Sequence, residues 1–108
     1  MKIAVTIRHE QMNPVMKDYA HEKVEGLEKY FDRITRATLV IEGKLKSQRA
    51  ELIVLLPKGI TLVAKAKAFD IKEVIDGVTD KMIRQISKSK KKMQSKHHTK
   101  ANAQIKEQ

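Results

Sequence analysis

Lys81, Arg84, Lys88, Lys91 and Lys92 recur at spacings of three, four and seven residues. On a helix turning about 100° per residue they fall within an arc of roughly 100°, a single ridge of ammonium and guanidinium donors. Such a ridge can engage consecutive phosphates, and release of their condensed counterions supplies the affinity. A solvated helix face ordinarily interleaves acids with bases for pairing at i,i+4. Here no Asp or Glu occurs between Asp80 and Glu107, which favours a phosphate-binding face over a merely wetted one.

Other chemistries lack their parts. The chain has no cysteine, which excludes a disulfide scaffold, thiolate zinc sites and cysteine nucleophiles. The histidines are His9, His21, His97 and His98; His21 is expected on the outer side of a helix, and the adjacent pair cannot share a helix face. A metal site needs three or four converging ligands, so neither a metal nor any other cofactor is expected. Asp76 and Asp80 stand at i,i+4, and Glu22 and Glu25 at i,i+3. Paired carboxylates do acid–base work only in a cleft that perturbs them; beside exposed polar positions they read as surface charge balance. There is no Gly-rich phosphate loop, GxxG clamp or activated nucleophile. The chain is expected not to be an enzyme and to take no small-molecule substrate.

The aromatics are Tyr19, Tyr30, Phe31 and Phe69, all on or beside expected helices. A sheet that stacks bases needs exposed aromatics on its central strands, so packing of helix on sheet is their expected job. Recognition of a nucleic acid would then rest on backbone and shape rather than base identity.

The charge is unevenly placed. Residues 1–80 hold 14 basic and 12 acidic residues, whereas residues 81–108 hold nine basic residues and only Glu107. A near-neutral body with one strongly cationic end points to a polyanionic partner, nucleic acid first. At 108 residues, 41% hydrophobic and 33% charged, the chain suits one small folded domain. No apolar run approaches the roughly 18 residues of a membrane helix, and residues 1–30 lack the apolar block of a signal peptide. The expected location is the cytoplasm, with no membrane partner.

The elements that must position these residues follow from periodicity. Residues 2–8 alternate, with Ile3, Val5 and Ile7 on one face, and read as a half-buried strand. Asn13 and Pro14 open a helix through about residue 30, striped by Met16, Ala20, Val24, Leu27 and Phe31. Residues 36–42, with β-branched Thr38, Val40 and Ile41, predict a second strand, and Gly43 to Gln48 a polar connection. Residues 49–56 predict a third, more apolar and central strand. Pro57-Lys58-Gly59 is turn chemistry, returning residues 60–68 as a fourth strand with Lys65 and Lys67 on one face. Asp70 and Glu73 start a second helix, striped by Ile71, Val74, Ile75, Val78, Met82 and Ile86. The fold class is α+β in the order β-α-β-β-β-α: a four-stranded sheet with two helices on one face. Residues 1–92 are expected to form this domain and residues 93–108 a disordered basic tail.

Three stretches resemble the bacterial ribosome hibernation promoting factor family, which includes the ribosome-associated inhibitor called protein Y. They are Asn13-Pro14 with Leu27-Glu28-Lys29-Tyr30-Phe31-Asp32-Arg33-Ile34, the hairpin Ala50 to Ala68, and helix two. In helix two the match runs through Asp70-Ile71, Ile75-Asp76-Gly77-Val78, Asp80-Lys81-Met82-Ile83-Arg84-Gln85-Ile86 and Lys88. The resemblance implies a fold similar to a double-stranded-RNA-binding domain with an extra first strand. It implies binding in the decoding and tRNA channel of the small ribosomal subunit, against rRNA, which inhibits translation and preserves idle ribosomes. Carried onto this chain, the RNA-binding positions are Lys23 and Lys29 on helix one and Lys81, Arg84 and Lys88 on helix two, extended by Lys90, Lys91 and Lys92. Two positions depart from the family pattern: Gly26 stands where many relatives have a basic residue, and Lys72 where an aromatic is common. The chain resembles the short members, which lack an appended dimerisation domain. It is expected to be a monomer off the ribosome.

A different function class uses the same ridge as a general RNA-binding module, such as an RNA chaperone, without ribosome preference. Equal affinity for unrelated duplex RNA and for small ribosomal subunits would favour it.

Overall fold

A computed structural model describes residues 1–8, 14–44 and 46–94, with Lys44 and residues 90–94 described by backbone alone. The alternating N-terminal segment forms strand β1 (Lys2–Arg8), and the segment opened by Pro14 forms helix α1 (Pro14–Glu25). Three strands follow, β2 (Arg36–Lys44), β3 (Ser47–Leu55) and β4 (Thr61–Ala68), and then helix α2 (Ile71–Gln94). The spatial order is β1-β2-β3-β4. β1 runs parallel to β2 through the α1 crossover, and the other pairs are antiparallel. The expected β-α-β-β-β-α order and the central place of β3 are those of the structure.

The core lies between the sheet and the helices. Ala37, Leu39 and Ile41 of β2, Ala50, Leu52 and Val54 of β3, and Ala64 of β4 alternate onto one face. There they meet Ala20 and Val24 of α1 and Val74, Ile75, Val78, Met82 and Ile86 of α2. α1 lies over β1, α2 over β4 and β3, and the helices touch each other. Each fully buried large side chain in this layer contributes about 1.5–3 kcal/mol, which fixes the rotation of both helices about their axes.

Four local expectations are corrected. α1 ends at Glu25 rather than near residue 30, and a 3₁₀ turn (Gly26–Lys29) replaces its last turn. Glycine weakens the helix there, and the tighter turn still buries Leu27, whose carbonyl accepts the N–H groups of both Tyr30 and Phe31 at 2.9 and 3.2 Å. The stretch from Gly43 to Gln48 is ladder rather than loose connection: Gly43 pairs with Gln48 and Lys44 with Ser47. Only glycine permits it, because a Cβ on Gly43 would lie 2.3 Å from the Ser47 carbonyl oxygen. α2 runs two residues past the expected boundary at 92, to Gln94; residues 95–108 of the expected tail lie outside the described residues, as does Asn13. The aromatics do not all pack: Phe31 is buried, but Tyr30 is 42% and Phe69 65% exposed.

The Pro57-Lys58-Gly59 turn and the Asp70 half of the α2 start signal take the expected form. Lys58 (φ 66) and Gly59 (φ 74) take left-handed backbone in the β3–β4 turn. Asp70 opens α2, its carbonyl accepting from the Val74 N–H at 3.0 Å and its carboxylate from the Lys72 N–H at 3.4 Å.

Candidate nucleic-acid interface

Burial of Val74, Ile75, Val78, Met82 and Ile86 sets which flank of α2 each polar residue occupies. Lys81 and Gln85 fall on the flank beside β4, the outer strand of the sheet. The Lys81 ammonium donates to the Lys65 carbonyl at 2.7 Å, and the Gln85 side-chain amide donates to the Val63 carbonyl at 2.7 Å. Both acceptors lie on the side of β4 away from β3, so two side chains one helical turn apart close an otherwise unpaired strand edge. Arg84 and Lys88 continue this flank and are exposed. Among the described residues neither side chain enters an ion pair or hydrogen bond.

One acid of α2, Asp76, lies on its other flank, toward α1. Tyr19 of α1 donates its hydroxyl to the Asp76 carboxylate, and the Lys23 ammonium stands 3.6 Å from the same carboxylate. The Lys72 ammonium lies 5.7 Å from the centre of the Tyr19 ring, so a cation–π contact covers the tyrosine. The Tyr19 pKa is pushed up to about 12, first by its hydrogen bond to Asp76, then by burial and by the charges of Asp76 and Asp80. Along Lys81, Arg84 and Lys88 no side chain enters an ion pair among the described residues; Asp76 is turned toward α1, while Asp80 stands one helical turn before Arg84.

The expected RNA-binding residues fall into three groups. Arg84 and Lys88, with Lys81 at their root, share one flank. Lys23 sits between the helices on the opposite flank, held by Asp76, and Lys29 is exposed at the end of the 3₁₀ turn. Lys90, Lys91 and Lys92 are helical in backbone, and their side chains lie outside the description.

Cations that the ridge does not contain stand nearby. The sheet face without helices carries Arg8, Arg49, Lys65 and Lys67, and the strand register sets Arg8, Glu42, Arg49 and Lys67 side by side across all four strands. The sequence signal for them is alternation, a charge at every second residue in Arg49–Glu51 and Lys65–Lys67; only the last pair stands out without the pairing. Among the described residues no three His, Asp or Glu side chains group as metal ligands, and no helix is long and apolar enough to cross a membrane.

Residues 3–94 match the family described as sigma 54 modulation protein / S30EA ribosomal protein. The chain is 32% identical over 95 residues to a ribosome hibernation promoting factor of Pseudomonas putida, covering 88% of this chain and 92% of that one. It is 28% identical over 93 residues to the protein of the same name in Escherichia coli K12, covering 86% and 97%. Its fold is similar to that of a ribosomal subunit interface protein from Coxiella burnetii, with a TM-score of 0.74 at 23% identity over 83% of this chain and 98% of that chain. The N-terminal domain of Thermus thermophilus Protein Y aligns with a TM-score of 0.69 at 26% identity, over 82% and 99%.

Proposed function

Since the chain belongs to the sigma 54 modulation protein / S30EA ribosomal protein family, we propose that it is a non-enzymatic ribosome hibernation factor. It acts in the cytoplasm as a monomer until it meets the small ribosomal subunit. There it lies in the decoding and tRNA channel against rRNA, where messenger and transfer RNAs would otherwise sit. Translation stops and the idle ribosome is preserved. The names of its relatives, ribosome hibernation promoting factors in Pseudomonas putida and Escherichia coli, support the ribosomal partner.

The observation that carries this reading is the flank of α2 formed by Lys81, Arg84 and Lys88. It is fixed in rotation by the core, its cations enter no ion pair among the described residues, and Asp76 of the same helix is turned toward α1. An array of this kind binds phosphates without reading bases. Arg84 and Lys88 make the direct contacts, Lys90, Lys91 and Lys92 extend them, and Lys29 adds a contact from beyond α1. Lys81 and Lys23 already hold partners within the fold. Lys81 keeps two further N–H donors for a phosphate, and Lys23 presents its charge from the groove between the helices.

Co-sedimentation with small ribosomal subunits tests the assignment. Arg84→Glu combined with Lys88→Glu abolishes it while circular dichroism and the melting transition stay those of the native chain. Wild-type binding weakens steeply with added salt, by close to one unit of log–log slope for each phosphate contact. Unchanged co-sedimentation of the double variant refutes this face, and equal affinity for unrelated duplex RNA favours a general RNA-binding module instead.

A further inference from the structure

The face of the sheet that no helix covers holds a second set of cations, and it meets the α2 flank at the β4 edge. We propose that this open face is a further RNA-backbone surface, so that a nucleic acid strand lying on α2 continues around β4 onto the sheet. The inference rests on the reading of the chain as an rRNA-binding protein and extends its contact area.

Register places the residues. Arg8, Glu42, Arg49 and Lys67 form one row across the four strands, and Thr6, Val40, Glu51 and Lys65 form the next. Neighbouring strands stand about 4.8 Å apart and same-face residues of one strand about 7 Å apart. The cations therefore recur at distances comparable with those between phosphates along a strand. Glu42 stands 3.7 Å from both Arg8 and Arg49, and Glu51 stands 3.9 Å from Lys65. One carboxylate thus serves two guanidiniums, orienting them without cancelling both. These pairs are well exposed, Arg49 by 62% and Lys65 by 75%, and exposed pairs contribute about 0–1 kcal/mol, so a phosphate can join or displace them. Among the described residues Lys67 has no carboxylate partner.

A depression of about 670 Å³ joins the two surfaces, lined among others by Arg49, Glu51, Lys65, Lys67 and Lys81. Lys81 belongs to α2 and the others to the sheet, and the bond from Lys81 to the Lys65 carbonyl locks them together. Glu42 lines it too, and counting Arg8, which pairs with Glu42, five cations meet two acids. That excess favours a polyanion over a protein surface of mixed charge.

The experiment is a salt titration of binding to small ribosomal subunits by the full chain and by Arg49→Gln with Lys67→Gln. If the wild type fails to bind, the ribosomal reading and this inference fall together. If the wild type binds, the double variant is expected to bind more weakly, with its log–log salt slope shallower by about two. An unchanged slope overturns the open-face surface and leaves the α2 assignment standing. Lys67→Gln alone disturbs no ion pair of the described fold and gives a slope shallower by about one, so the test survives any instability of the double variant. The absence of cysteine makes Lys67→Cys a unique attachment point for a photo-crosslinker. Crosslinks to rRNA support the proposal; crosslinks confined to a ribosomal protein overturn it in favour of a protein partner.

Discussion

The Tyr19 hydroxyl donates to the Asp76 carboxylate, joining α1 to α2 across 57 positions of sequence. The bond fixes the two helices against each other on the flank of α2 away from Lys81 and Lys88. Lys23 and Lys72 add a salt bridge and a cation–π contact at the same junction. The relative position of the helices is therefore held by polar contacts as well as by the core.

This junction makes stability depend on alkaline pH. The folded Tyr19 pKa of about 12 lies above its ordinary value of 10.0, so the fold favours the protonated phenol. Its contribution is intact below pH 10 and is lost as pH rises through 12. Tyr19→Phe removes that dependence and about 1 kcal/mol at neutral pH. Urea midpoints of both proteins check this: their difference is constant from pH 7 to 9 and shrinks above 10.

Closure of the β4 edge by Lys81 and Gln85 contributes stability apart from any binding. Lys81→Met with Gln85→Leu keeps the side-chain bulk and leaves the carbonyls of Lys65 and Val63 to water. The expected loss is about 1–2 kcal/mol for two hydrogen bonds. It is read from a lower urea midpoint at constant m-value, with faster aggregation on heating as an exposed edge produces.

Gly43 is held by the close approach of Ser47 and Gln48 across the hairpin. Gly43→Ala puts a methyl group into backbone, and the strands must part. A loss of about 1–3 kcal/mol follows, typical of overpacking, and amide exchange should accelerate first at the β2–β3 end of the ladder.

Gly26 has the opposite surroundings, with nothing within 4 Å of a built Cβ. Gly26→Arg adds a cation near Lys29 without a clash. It raises stability by about 0.4–1 kcal/mol through the unfolded chain and tightens binding to small ribosomal subunits. A thermal melt and a binding titration read the two effects separately.

Local periodicity made most of this architecture legible. The alternation of Ile3, Val5 and Ile7 and the stripe from Ile71 to Ile86 each repeat within a few residues, so element type, burial face and the cationic ridge follow from the sequence. What needed the structure depends on residues far apart in the chain. The Gly43 ladder requires knowledge of which strand residue lies opposite. The arc of Lys81 says where its side chain leaves the helix, not that the Lys65 carbonyl waits there. Lys23 looks like any helical lysine until Asp76 stands beside it. Phe69, apolar yet 65% exposed, follows β4 immediately, and neither period predicts its fate.

Ile86 is the last residue that α2 contributes to the core among the described residues, and the helical backbone runs on to Gln94, about 12 Å farther. Like charges at Lys88, Lys91 and Lys92, three and four places apart, repel one another along it. Its coil-to-helix balance leans on the anchored turns behind it. Dissolved salt should then stiffen this arm while loosening its hold on phosphate, and a polyanion laid against it should do what salt does for the helix while binding it.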